Sequence, residues 1–374
     1  MRVYLDNAST TPLLTEVVEK MAKILNDDFG NPSSIHWHGR KSRAIIENAR
    51  KTVARTINAS IAEIFFTSSA TEANNMILKN SVDSQDIKRI ISSPTEHHCV
   101  LHTLEYLHKY RNIEIDFLHV DDCGNPNLDE LSNKLSETKL KTLVSIMHGN
   151  NEIGTMTDIK KIGALCKVNN VLFHSDTVQT LGKYPIDVRN FEISFLSGSA
   201  HKFHGPKGAG FVYINNNNMI SPFILGGSQE RNMRAGTENV GGIAGLAVAL
   251  EYADLQMQSN TIKINSLRLL FKHLLVSEFE DIRFNGNQDE NYLNHILSVS
   301  FPSGPKVDML VINLDIEGIS ASSGSACSAG IEEDSHVMRA IKHPHQRKTI
   351  RFSFSAFNTE EEIYYTIEKL KKII

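Results

Sequence analysis

Between residues 63 and 214 short apolar runs recur at strand length, separated by amphipathic or polar stretches, and this alternation constrains the fold more than any other feature of the chain. The runs fall at 63–67, 88–92, 114–120, 142–147, 171–175, 193–197 and 210–214. Between two of them, residues 159–167 carry Ile159, Ile162 and Leu165 near one helical face. Apolar strands separated by helical segments are the pattern of βαβ units around a buried, mainly parallel sheet. An α/β fold follows, with a mainly parallel seven-stranded sheet flanked by helices.

The pattern changes near residue 250. Helical segments at about 239–258 and 262–279 precede period-2 or apolar strands at 296–301, 318–321 and 349–355. A capping box, Thr359-x-x-Glu362, opens a closing helix that runs to Ile374. With 374 residues, room exists for two domains of roughly 150 residues each. The expected division is a large domain over 13–250 and a smaller α+β domain over 251–374, with residues 1–12 packing on the latter. Thr10-Thr11-Pro12 is expected to cap a helix over 13–25.

Charge and cysteine usage exclude several classes. Lys plus Arg (39) against Asp plus Glu (43) leaves a net charge of −4, so a general nucleic-acid coat or a polybasic membrane face is not indicated. The longest apolar stretch, 240–250, lies between Glu238 and Glu251 and falls short of the ~18 residues of a membrane span. The first residues enter a strand-like pattern with no apolar signal region, and a cytoplasmic location is expected. The four cysteines, Cys99, Cys123, Cys166 and Cys327, form no C-x-x-C pair and no disulfide framework, which fits a reducing compartment. None of the 16 histidines stands in a zinc-ligand spacing with matching partners, whether at His36-Trp37-His38, His97-His98-Cys99, His201-x-x-His204 or His343-x-His345, so no metal is expected.

The strongest constellation is Ser197-Gly198-Ser199-Ala200-His201-Lys202, a lysine in a small-residue turn after an apolar strand. Open α/β sheets place their ligand crevice at such strand ends, and a partly desolvated lysine there can form a Schiff base. Asp176 ends another strand in His174-Ser175-Asp176-Thr177-Val178-Gln179. A carboxylate so placed can keep the ring nitrogen of pyridoxal 5'-phosphate (PLP) protonated, and Gln179 can reach the ring's phenolate oxygen; the alternative is that Asp176 caps the next helix, the commoner fate of Asp after a strand. Ser69-Ala70-Thr71-Glu72 follows a strand and opens a helix, so its free N–H groups and dipole favour a phosphate, although the same residues read as a capping box. His97, after Ser92-Ser93-Pro94-Thr95-Glu96, reads as a crevice residue able to stack on a flat ring and move protons. Gly205, Gly208 and Gly210 read G-x-x-G-x-G, so neither common nucleotide motif is present. Cys327 stands in Ser322-Ser323-Gly324-Ser325-Ala326-Cys327-Ser328-Ala329-Gly330, without a large apolar residue, which predicts an accessible thiol. Cys166, among Ile162, Ala164 and Leu165, reads as packing.

Taken in order, these motifs resemble the cysteine desulfurases, PLP enzymes of the class V aminotransferase group with the fold type I architecture. The resemblance runs from Tyr4-Leu5-Asp6-Asn7-Ala8 and Gly30-Asn31-Pro32-Ser33-Ser34 through Thr95-Glu96-His97 and His148-Gly149-Asn150-Asn151-Glu152. It continues with Glu230-Arg231-x-x-Arg234-x-Gly236-Thr237, the Ser322–Cys327 loop and Arg351-Phe352-Ser353.

The resemblance implies that Lys202 holds PLP as a Schiff base, Asp176 pairs with its ring nitrogen and His97 stacks on the ring. It implies that Asn151 and Gln179 contact the ring oxygen, while Ala70, Thr71, Ser199 and His201 hold the phosphate, joined by Thr237 from the other subunit of a homodimer. Arg351, with Asn31, is implied to bind the carboxylate of L-cysteine. Cys327 would take the sulfur as a persulfide and pass it to an acceptor protein, leaving alanine. Two departures stand out. Ala200 occupies a position where many relatives have Gly, and the chain ends soon after its last helix, whereas members that feed iron–sulfur scaffolds commonly carry a longer tail. A tRNA-thiolation enzyme is therefore as consistent an acceptor as an iron–sulfur scaffold. Selenocysteine lyase, another PLP-dependent β-elimination, or a non-catalytic sulfur relay are the competing readings.

Overall fold

The computed structural model describes residues 1–137, 139–323 and 335–374. The chain begins with β1 (Val3–Tyr4), α1 (Thr15–Asp27) and α2 (Trp37–Thr56). The alternation then runs β2 (Ile64–Thr67), α3 (Ala70–Ser84), β3 (Arg89–Ser92), α4 (His98–Arg111), β4 (Glu114–Phe117), α5 (Leu128–Glu137), β5 (Thr142–Ser145), α6 (Ile159–Val168) and β6 (Leu172–Asp176). Next come β7 (Phe195–Ser199), β8 (Gly210–Ile214), α7 (Val240–Leu255) and α8 (Met257–Glu278). The last third holds β9 (Arg283–Asn285), β10 (Ile296–Pro302), β11 (Ile319–Ser320), β12 (Arg347–Ser353) and a terminal helix, Glu360–Ile373.

Seven strands form one sheet in the order β2-β8-β7-β6-β5-β3-β4. Only β8 runs against its neighbours, pairing antiparallel with both β2 and β7, while β3, β4, β5, β6 and β7 are mutually parallel. Six of the strands are buried along nearly their whole length, which is why the sequence shows apolar runs rather than alternation. The edge strand β4 is half-exposed, and its Asp116 is bonded to Arg89 of β3. Helices α1 and α2 both pack on α7, and a core including Val17, Ile46, Val53, Ile91, Phe173, Phe211 and Leu246 joins them to the sheet. Cys166 is 1% exposed within that core, as its apolar neighbours predict.

A second core gathers Leu267 and Phe271 of α8, Leu297 and Val299 of β10, Phe352 of β12 and Leu370 of the terminal helix. Strands β12, β10 and β9 form its antiparallel sheet. The N-terminal segment belongs partly to this core. Val3 and Leu5 are buried in it, and β1 pairs in parallel with β11.

Local departures from the sequence expectations have physical causes. The first helix begins at Thr15, and neither Thr10 nor Thr11 caps it. Thr11 Oγ1 instead donates to the His201 carbonyl at 3.0 Å and accepts from His204 N–H at 2.7 Å, clipping the N-terminal segment to the Lys202 turn. Glu63 lies in a short 3-10 turn, its carboxylate capping Ser60 N–H and Asn216 N–H. The 69–72 motif is only half a capping box: Ser69 accepts from Glu72 N–H, but the Glu72 carboxylate turns to Ser68 and Arg234. The Thr359–Glu362 box closes on both sides.

Candidate active site

The carboxyl ends of the parallel strands collect most of the singled-out residues. Lys202 ends a 3-10 turn directly after β7, and its Nζ donates to the carbonyls of Ala8 at 2.6 Å and Ser9 at 2.8 Å. Asp176 closes the neighbouring strand β6. Its Oδ1 accepts from Val178 N–H at 3.0 Å and its Oδ2 from Asn74 Nδ2 at 2.7 Å. The helix-capping alternative fails, because residues 177–194 form turns and no helix before β7, and the carboxylate closes a turn instead. His97 is the N-cap of α4, its Nδ1 accepting from Cys99 N–H at 3.1 Å. Burial holds the His97 imidazole below its ordinary pKa; the Asp176 charge opposes that shift and Lys202 reinforces it, as expected of three groups sharing one crevice.

A small-residue cradle lies beside them. Ser199 pairs with Gly210 in the sheet, and Gly210 pairs on its other side with Thr67. A Cβ on Gly210 would lie 2.9 Å from the Ser69 carbonyl carbon, so only glycine lets the turn before α3 approach β8 this closely. Ala70 and Thr71 thus open the first turn of α3 near Ser199, with N–H groups that have no partner one turn earlier. His201 sets its Nδ1 3.2 Å from Thr10 Oγ1, and burial with the Lys202, Lys207 and Lys183 charges pulls its pKa down to about 3. The ring is neutral at pH 7 and can accept or donate without bringing charge.

The other face of the crevice is built from the N-terminal segment and β12. Gln179 donates its Nε2 to the Ala8 carbonyl at 3.0 Å, while its Oε1 lies 3.1 Å from His295 Nε2. Arg351 is 1% exposed, and its Nη1 donates to the Asn151 carbonyl at 2.8 Å. Its Nη2 donates to Asp6 Oδ1 at 2.8 Å and Ser9 Oγ at 2.6 Å, leaving Nε buried without a partner among the described residues.

Two residues stand apart. Asn31 is exposed, its Oδ1 accepting from Ser33 N–H. Thr237 is exposed on a separate concavity of about 220 Å³ shared with Thr67, Ser68, Gly208 and Arg234. No hydrogen bond among the described residues ties either one to the Lys202 cluster. The segment bearing Thr237 is nonetheless held firmly. Glu230, Arg231 and Asn232 take φ angles of 43°, 58° and 67°, and the buried Arg50 guanidinium grips the Glu230 carboxylate through two bonds of 2.7 and 2.9 Å. Arg234 then pairs with Glu72 in the first turn of α3.

Cys327 lies outside the described residues. The residues flanking its loop are pinned to the crevice from both sides. Ser322 Oγ donates to Asp6 Oδ1 at 2.9 Å, and Ser335 Oγ donates to Glu152 Oε2 at 2.6 Å. His336 Nε2 donates to the carbonyl of Glu96, next to His97, and its ring lies 4.5 Å from that of His98.

Several groups in this region were not singled out by sequence. Asn74, one turn into α3, and Cys99, two residues after His97, carried no signal that distinguished them from packing. Glu96 is fully buried and burial raises its pKa well above the carboxylate range. Lys183 donates to the Lys202 carbonyl at 2.8 Å, and burial, helped by the Lys202 charge, pulls its pKa down to about 7. Among the described residues no cluster of three or more His, Cys, Asp or Glu could hold a metal ion, and no helix is long and apolar enough to cross a membrane.

Residues 3–365 match the family model of class V aminotransferases. The chain belongs to that family. Among its relatives are a cysteine desulfurase IscS of Dictyoglomus turgidum, 42% identical over all of this chain and 94% of the relative, and a putative cysteine desulfurase IscS 1 of Bacillus subtilis, 41% identical over 97% of this chain and 96% of the relative. A solved NifS-like protein superposes with a TM-score of 0.92 at 36% identity, covering 100% of this chain and 99% of that one. A NifS-like protein from Rickettsia africae gives 0.89 at 31% identity, again covering 100% and 99%. Within the class V aminotransferases, the chain therefore stands with the cysteine desulfurases.

Proposed function

We propose that the protein is a PLP-dependent cysteine desulfurase that takes sulfur from L-cysteine as a persulfide on Cys327 and releases L-alanine. The observation that carries this reading is the convergence of Lys202, Asp176 and His97 at the strand ends, with both flanks of the Cys327 loop anchored to the same crevice. The donor set fits PLP. It offers a primary amine, a carboxylate one strand away, an imidazole in the same crevice, and a glycine-dependent cradle at the start of α3 where a phosphate meets unpaired N–H groups. When bound, PLP supplies the electron sink that makes the Cα proton of cysteine removable.

The chain's own residues do the rest. Lys202 Nζ would hold the cofactor, and its amine is placed to carry the Cα proton of the substrate. Asp176 keeps the ring nitrogen protonated, and Gln179 and Asn151 orient the ring oxygen. Thr71, Ser199 and His201 hold the phosphate, with Ala70 in the same turn, and Thr237 joins them from the partner of a homodimer. Arg351 orients the substrate carboxylate, assisted by Asn31. His97, with Nδ1 already accepting from Cys99 N–H, presents Nε2 to move a proton near the substrate sulfur. The Cys327 thiolate attacks the substrate sulfur, the Cβ–S bond breaks, and its electron pair stays on Cβ, which takes a proton and becomes the methyl group of alanine. The sulfur then leaves for an acceptor protein of iron–sulfur assembly or tRNA thiolation in the cytoplasm.

Purified protein supplied with PLP and a reductant should release alanine from cysteine in step with sulfide. Equal or faster turnover of selenocysteine by a Cys327→Ser variant that has lost cysteine turnover would replace this reading with a selenocysteine lyase.

A further inference from the structure

Asn74 has no exposed surface, yet all of its polar hydrogens and its oxygen are spoken for by groups of the crevice. Its Nδ2 lies 2.7 Å from Asp176 Oδ2 and 3.2 Å from Cys99 Sγ, and its Oδ1 lies 3.1 Å from His174 Nε2. We infer that Asn74 is a positioning residue that fixes the carboxylate of Asp176 and, through the Cys99 thiol, reinforces the His97 tautomer that the Cys99 N–H already favours. This rests on the reading of Asp176 as partner of the cofactor's ring nitrogen and of His97 as its ring neighbour.

The direction of each bond follows from what its partner can do. A carboxylate only accepts, so the amide NH2 of Asn74 must face Asp176 and its oxygen must face His174. His174 therefore donates from Nε2, and its Nδ1 accepts from Ser145 Oγ at 2.9 Å. Burial agrees, pulling the His174 pKa down to about 3 and keeping the ring neutral. The second Asn74 hydrogen points to Cys99, whose sulfur accepts from it and from the Thr71 hydroxyl, while its S–H faces His97 Nδ1 at 3.0 Å. Burial and the nearby Asp176 charge push the Cys99 pKa up to about 12, so this thiol remains a donor and is no second nucleophile. His97 Nδ1 receives both this S–H and Cys99 N–H, so the ring proton resides on Nε2. One amide thus acts on two features at once: it sets where the negative charge under the ring nitrogen sits, and it supports the imidazole tautomer whose Nε2 can give a proton into the crevice.

The test compares affinity for PLP and for its analogue with the ring nitrogen replaced by CH, measured by fluorescence titration of the apoprotein. Wild type should prefer PLP. Asn74→Ala should reduce that preference about 10-fold, the scale of a lost hydrogen bond to a charged group, while binding of the analogue stays near wild type. Equal loss for both ligands would mean a merely structural role and overturn the proposal. Asp176→Asn separates the two levels. If it removes the preference while Asn74→Ala does not, this inference falls and the reading of Asp176 stands; if wild type shows no preference, the reading of Asp176 falls and takes this inference with it. Independently of the Asn74 variant's folding, histidine-labelled Cys99→Ser and Cys99→Ala proteins are compared by NMR. The serine variant should keep the His97 proton on Nε2, and the alanine variant, left with the backbone N–H of residue 99 alone at Nδ1, should show a larger share of the Nδ1-protonated ring than the serine variant. An unchanged tautomer in Cys99→Ala would refute the relay through the thiol.

Discussion

Arg351 of β12 and Asp6 of the N-terminal segment are joined by a 2.8 Å bond from Nη2 to Oδ1, and the same Asp6 oxygen accepts from Ser322 at the edge of the Cys327 loop. One carboxylate therefore orients the guanidinium proposed to bind substrate and anchors Ser322, at the edge of the loop proposed to carry the nucleophile. Arg351 is fixed before substrate arrives, so little ordering is left to be done on binding.

Substrate binding should expose this arrangement. Arg351→Lys keeps a charge but loses the planar fork, and it should raise KM for cysteine by about 10- to 100-fold, equivalent to roughly 1.5–3 kcal/mol for a charge-assisted bond. Asp6→Asn should shift KM in the same direction by less, because Ser9 and the Asn151 carbonyl still hold the guanidinium. Steady-state kinetics decide it; a fall in kcat at constant KM in Arg351→Lys would remove Arg351 from carboxylate binding.

The division between cofactor and nucleophile predicts two separable defects. Cys327→Ser should bind PLP and stay yellow but yield no protein-bound persulfide by intact-mass analysis after exposure to cysteine. Lys202→Ala should lose the covalent cofactor adduct trapped by borohydride, since Nζ is the only amine of the turn at the end of β7. Persulfide on the serine variant, or a borohydride-trapped adduct on the alanine variant, would contradict the assignments.

Much of this was legible in the sequence because it is local. The seven apolar runs became the seven strands of the sheet, and Lys202, Asp176, Ala70 and Thr71 lie beside strand ends where a one-dimensional pattern points to them. Three kinds of information were not local. The reversal of β8 depends on a tight return from β7, which the apolar run at 210–214 shares with any parallel strand. The partners of Arg351 lie about 200 and 345 residues away, and no composition signal marks them. Asn74 and Cys99 look like helix filler until the fold places both beside Asp176. The Thr10–Thr11 cap failed because Thr11 found a stronger claim in the Lys202 turn, a tertiary override of a local preference.

The Arg50–Glu230 pair should prove structurally costly to break. Both side chains are almost wholly buried, and Glu230 also accepts from Phe66 N–H at 2.7 Å, so the pair ties α2 and β2 to three consecutive left-handed residues. Removing one partner leaves an uncompensated buried charge, and Glu230→Leu or Arg50→Met alone should lower stability by about 3–5 kcal/mol. The double variant should lose less than the sum. Urea unfolding of the three proteins measures this, and strictly additive losses would show that the two groups do not act as a pair.

Acid stability offers a check on the buried histidines. Burial lowers the His174 pKa from 6.5 to about 3, with its two nitrogens already committed to Asn74 and Ser145. Between these values the unfolded chain takes up a proton that the folded chain refuses, so stability must fall as the pH drops from about 6.5 towards 3. Each such histidine contributes a slope of about 1.4 kcal/mol per pH unit across that window. His148 and His204, held at about 4, steepen the upper part of the same limb. His174→Gln retains one donor and one acceptor for Asn74 and Ser145 but cannot titrate. Relative to wild type, its urea-derived stability should fall less steeply between about pH 6 and pH 4.5, by about 1.4 kcal/mol per unit, even if its stability at pH 7 is lower. Parallel slopes for the two proteins would show that His174 takes up its proton in the fold as it does in the unfolded chain, with Nδ1–H donating to Ser145 Oγ rather than accepting from it.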